Sequence, residues 1–213
     1  MSSEAAVVDL LGALAYGELS AFDHLADDAG LAPTLSGRAE MSAMAAVEFG
    51  HYRRLADRLI ALGAEPEAAM APFVAALETY HSRTTPSTWL ESVVKAYVGD
   101  GMAADFYREV AAFVDDATAD LIREVVTEAG RAEFAVREVQ AAVAEQPSTA
   151  DRLALWARRL VGEAISQTQY VLADRDSLML LLVGGADLAG VAALVKRITD
   201  RHEERMAALG LTG

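Results

Sequence analysis

The stretch Met41-Ser42-Ala43-Met44-Ala45-Ala46-Val47-Glu48-Phe49-Gly50-His51-Tyr52-Arg53-Arg54-Leu55 decides how this chain is read. Apolar residues recur in it every three or four positions, which is the period of an amphipathic helix. On such a helix Met41, Met44, Ala45, Tyr52 and Leu55 share one face, and Glu48 and His51 fall on that same face. A carboxylate and an imidazole therefore project together from the stripe that should be buried. A buried carboxylate is costly unless a hydrogen-bond donor or a cation meets it.

The same period runs through most of the chain. Helices are expected over 4–30, 36–62 and 66–81, followed by a polar connection over 82–87. Thr88-Trp89-Leu90-Glu91 has the spacing of a capping box and opens a helix to about 116. Further helices are expected over 118–145 and 148–173. A short apolar one follows Asp174, and a last one, capped by Asp187, reaches about 209. The fold class is thus all-α. Two long antiparallel helix pairs joined by a long crossover make a four-helix bundle over 1–145, with C-terminal helices over 146–213 packed on the same domain as an extension.

Composition narrows the function. With 213 residues the chain can bury a sizeable core, and its net charge of -14 opposes binding to a polyanion such as duplex nucleic acid. Arg152, Arg158 and Arg159 form the one local basic patch of note. The absence of cysteine excludes disulfides, thiolate metal sites and cysteine nucleophiles. The start, MSSEAAVVDL, lacks the basic segment of a secretion signal, and the most apolar run, 177–186, is about half of the ~20 residues a membrane span needs. A soluble, cytoplasmic protein with no membrane partner is expected. No phosphate-binding glycine loop, serine-hydrolase elbow or zinc-protease motif is present.

Three more acids fall on apolar stripes. Glu18 shares its face with Leu11, Leu14, Ala15, Ala21, Phe22 and Leu25. Asp100 has Val93, Ala96, Tyr97, Ala103, Ala104 and Tyr107 around it. Glu133 has Val126, Ala129, Gly130 and Val136, in a stripe interrupted by Arg137 and Gln140, whereas Glu128 reads as solvent-exposed. The acids form a weak internal repeat: Gly17-Glu18 matches Gly99-Asp100, and Glu48-Phe49 matches Glu133-Phe134. The position that matches His51 is Val136, which cannot bind a metal. Tyr16, Tyr52, Tyr97 and Tyr107 read as core packing around these acids, and His24, His81 and His202 as surface residues near helix ends or polar runs.

Glu18, Glu48-Phe49-Gly50-His51, Asp100 and Glu133, together with Thr85-Pro86-Ser87-Thr88-Trp89-Leu90, resemble the ferritin-like superfamily. More narrowly, the chain is similar to an actinobacterial group related to MiaE, the tRNA hydroxylase, over roughly 4–145. Glu-x-x-His is the spacing that di-metal members use on inward-facing helices. The resemblance implies a non-haem di-iron or di-manganese centre that activates dioxygen. Its metal ligands would be Glu18, Glu48, His51, Asp100 and Glu133, and it would hydroxylate or oxidise a small organic molecule. It also implies tRNA as a substrate, against the direction of the charge. With Val136 in place of a second histidine, the second metal should bind more weakly. Two readings stay open: a hydroxylase with an incomplete metal site, or a degenerate bundle that binds one metal or none and acts as an interaction module, with a homodimer contact through its C-terminal helices.

Overall fold

The computed structural model describes residues 4–126, 131–185 and 188–211, and among these every regular element is helical. The first helix, α1 (Glu4–Asp28), closes in a 3-10 turn at Ala29–Leu31. Thr34 then caps α2 (Leu35–Ala61), its side chain accepting from the Gly37 N–H. Gly63, at φ 78, supplies the left-handed turn that ends this pair. The Glu65 carboxylate accepts the first free amides of α3 (Pro66–Arg83), where proline fits the opening turn. Thr88 caps α4 (Trp89–Val94) as the sequence implied, and Glu91 reaches back to the Ser87 amide.

Two departures from the expected helices matter. The helix expected over 88–116 is not uniform: a π-turn, Lys95–Gly99, separates α4 from α5 (Asp100–Val110), which ends in the 3-10 turn Ala111–Phe113. The helix expected over 118–145 is also interrupted. Asp115 caps α6 (Asp116–Val125), Val126 is its C-terminal cap with its N–H still donating to the Ile122 carbonyl, and the next helix is α7 (Arg131–Glu145). The chain continues as α8 (Ser148–Asp174), α9 (Asp176–Gly185) and α10 (Leu188–Ala208). The expected cap Asp187 lies outside the described residues, as do Glu128, Ala129 and Gly130.

α1 and α2 form the first antiparallel pair, α4–α5 and α6–α7 supply the second, and α3 occupies the crossover, laid along α1. The chain folds as an all-α bundle of the expected kind. α1 is held between α2 and α3: Leu10, Leu11 and Leu14 pack with Leu55, Leu59 and Phe73. A Cβ on Gly12 would overlap the Ala69 carbonyl, so this glycine sets how closely α1 and α3 approach. Burial of that face also explains a feature of composition. Residues 4–31, rather than 177–186, are long and apolar enough to cross a membrane, but they are packed as a core helix.

α8 packs against α3, α4 and α7, and the Trp156 indole N–H donates to the Glu91 carbonyl at 2.9 Å. α10 is clamped to α5 by charge. Asp105 is 1% exposed and accepts from Arg108 on its own helix and from Arg201 and Arg205 on α10. Beside it, Glu109 binds Arg197 and Arg201, and the hydrogen bond from Arg197 above all holds its carboxyl below the usual range. Gly101 leaves room for the Arg205 stem, 3.0 Å from where a Cβ would lie. Removing one member of a buried ion cluster leaves the others uncompensated. Asp105→Ala should therefore lower the unfolding free energy by about 3 kcal/mol or more, measured by urea denaturation. A loss no larger than that of an exposed pair such as Arg123–Asp120 would refute the clamp.

Candidate metal centre

Glu18 comes from the middle of α1, and Glu48 and His51 come from successive turns of α2. The antiparallel pairing of these helices brings the three side chains to one depth. His51 Nδ1 lies 3.2 Å from Glu18 Oε2 and 3.3 Å from Glu48 Oε2. Each of the three offers a ligand atom, and those atoms lie within 4.8 Å of one another. The side chains are 13% (His51), 16% (Glu18) and 4% (Glu48) exposed, so little water reaches them.

A neutral imidazole carries one N–H, and here a single ring nitrogen faces two carboxylate oxygens. Two negative charges converge where the dielectric is low, which favours a positive ion between them. Oxygen and imidazole donors from two packed helices suit a first-row divalent metal.

The surroundings are aromatic. Phe22 and Phe49 approach at 5.2 Å between ring centroids, and Phe49 and Tyr52 at 5.8 Å. From α5, Tyr107 stands near Glu18, and burial first, then the Glu18 charge, pushes its phenol upward. Tyr16 faces elsewhere and donates to Glu78 on α3 at 2.6 Å.

Asp100 and Glu133 are not part of this group. Glu133 is exposed, because the buried stripe of α7 is Phe134, Ala135 and Val139. The inward placement expected for it assumed one unbroken helix from 118, and the end of α6 at Val126 breaks that phase. Arg137, which interrupts the Glu133 stripe, lies over the Phe134 ring and beside Glu138. Val136 packs against the apolar core. Asp100 is half-buried, and its charge acts on Tyr80 and Lys95.

A second polar cluster was not legible in the sequence. Lys95 is 6% exposed, its Nζ makes no hydrogen bond, and it lies 5.7 Å from the centre of the Tyr80 ring. His24 and His81 stack at 3.9 Å beside it, and His81 is buried rather than exposed as its place near a helix end implied. Burial depresses the Lys95 ammonium, which the Asp28 and Asp100 carboxylates oppose. Burial also pushes Asp28 upward, while Lys95 and Ser92 pull it down. The signal that could have found Lys95 was its place among Val93, Val94, Ala96 and Val98, where a lysine is out of keeping.

The chain matches the family described as ferritin-like domain, actinomycetes, over residues 2–185. It belongs to that family. No curated protein matches it.

The His81 imidazole, pushed down to about 2 by burial and then by Lys95 and His24, stays neutral when folded. His24 and His202 are also lowered, chiefly by burial. The unfolded chain binds protons at these positions first. For His81 the contribution is therefore complete above about pH 6.5 and is lost as pH falls below it, at up to about 1.4 kcal/mol per pH unit, and the half-buried His24 and His202 add a smaller loss in the same direction. Denaturation at pH 7.5 and 5.5 should show this loss, and His81→Phe should flatten it. An unchanged slope in that variant would contradict the assignment.

Proposed function

With membership of this family as the premise, we propose that the chain is a metal-binding helical bundle holding one divalent iron or manganese ion between Glu18, Glu48 and His51. The observation that carries the reading is the convergence of three ligand atoms within 4.8 Å on the inner faces of α1 and α2. One ion is what this group supports: Glu133 is exposed, Val136 has no ligand atom, and Asp100 is outside the three residues whose ligand atoms converge. No step is therefore assigned to a metal pair.

Glu18, Glu48 and His51 would hold a single iron or manganese ion, which would supply redox chemistry toward dioxygen and an organic molecule. The chain's own residues do the rest. Glu18 and Glu48 hold the cation by charge, and the i, i+3 spacing on α2 fixes His51 against both. Tyr107 stays protonated, available as a hydrogen-bond donor on the α5 side of Glu18. The acid group itself is little exposed, which favours a small organic substrate over a nucleic acid. Oxidation or hydroxylation of such a molecule by a soluble, cytoplasmic protein is the activity that this donor set and the family resemblance support together. The acidic balance of -14 opposes tRNA as that substrate.

Anaerobic titration of the full chain with Fe(II) or Mn(II), followed by elemental analysis after desalting, should find bound metal in the wild type. Changes to groups that merely orient metal ligands cost about 10–100-fold in affinity, so Glu48→Gln and His51→Ala should each lose about 100-fold. Equal affinity in all three proteins, or no binding by the wild type, would sink the reading. Dioxygen uptake by the iron-loaded protein, followed with an oxygen electrode, then distinguishes an oxidising site from a structural ion.

A further inference from the structure

The core has a second place where charge is buried, and its occupant belongs to the protein. We infer that the Lys95 ammonium is a built-in cation that neutralises the Asp28 and Asp100 side of the bundle core in place of a second metal ion. The inference rests on the reading of Glu18, Glu48 and His51 as a one-metal site, which it extends by fixing the stoichiometry.

The backbone is the first support. In an α-helix, Asp100 would share its face with Ala96 and Tyr97, and Lys95 would point elsewhere. Across the π-turn Lys95–Gly99 the hydrogen bonds span i to i+5 and the helix is underwound, so Lys95 and Asp100 come much nearer the same side than an α-helix would place them. The π-turn thereby turns a lysine inward toward the acid that, by the internal repeat, corresponds to Glu18. Gly99 allows the close packing this requires: a Cβ there would lie 2.7 Å from the Tyr80 hydroxyl.

Burial is the second support. Lys95 is more than nine-tenths buried, and no hydrogen bond holds its Nζ. An ammonium in that setting is expensive unless opposite charge or an aromatic face is close. Asp28 from α1 and Asp100 from the start of α5 supply the charge, and Tyr80 from α3 supplies the face. The neighbouring imidazoles, His24 and His81, carry no opposing charge. A divalent ion added on this side would be repelled by the ammonium, so the acids here have their cation already.

The test combines stoichiometry with a double-mutant cycle on the full chain. Mn(II) titration of the wild type should saturate at one ion per chain. In the metal-free protein Lys95→Met should melt roughly 5 °C or more below wild type, and adding Asp100→Asn should recover a good part of that loss. Lys95→Arg, which keeps the charge, should melt closer to wild type than Lys95→Met does. If Lys95→Met does not fold, folding of Lys95→Arg and of Lys95→Met with Asp100→Asn supports the inference. Two ions per wild-type chain would overturn it, and so would the absence of coupling between Lys95 and Asp100. Coupling without any metal uptake would uphold Lys95 as the internal cation while refuting the metal site at Glu18, Glu48 and His51, so the two failures are distinguishable.

Discussion

A charge placed inside a helical bundle must be met by another charge or by a well-placed donor, because transfer from water costs more than any single packing contact returns. Three places in this protein obey that constraint in different ways. Asp105 is met by Arg108, Arg201 and Arg205, and the result is the attachment of α10 to α5. Lys95 is met by Asp28, Asp100 and the Tyr80 ring. Glu18 and Glu48 both approach one imidazole nitrogen of His51. The first cluster closes in ion pairs, the second sets a lysine among acids and an aromatic face, and the third gathers three ligand atoms that suit a cation.

The asymmetry between the halves of the bundle follows from backbone geometry as much as from residue identity. In the first half, unbroken α1 and α2 keep a constant phase, so residues selected by a 3.6 period meet at one depth. In the second half, the π-turn before α5 and the end of α6 at Val125 each limit how far one phase carries. The first turns Lys95 inward and the second leaves Glu133 in solvent. A repeat visible in sequence therefore need not give a repeat of the site. The two halves share a bundle and differ in how they balance charge.

Membership of the actinomycete ferritin-like domain family accounts for the bundle and its crossover, while the use made of that bundle is set by the few polar side chains in its interior. In this chain those side chains define one compact donor group between α1 and α2. The low exposure of Glu18, Glu48 and His51 strengthens any charge interaction among them.

The sequence by itself determined the helices, the order of the bundle and one half of the site. Periodicity, the Thr88 capping box, Pro66 and the glycine after α2 are local signals, and local signals survive in a sequence read alone. Glu48 and His51 were legible because they sit three residues apart on one uninterrupted helix, and Glu18 because its whole stripe is apolar. The tertiary structure decided everything that depends on phase across an irregularity or on contact between distant helices. Lys95 was hidden because a π-turn changes which residues share a face. Glu133 was misplaced because a helix end resets the phase. His81 looked like a surface residue near its helix end and is buried because α3 lies along α1, where Gly12 permits the approach. In each case the physical reason is the same: a period predicts neighbours only as far as the helix that carries it stays regular.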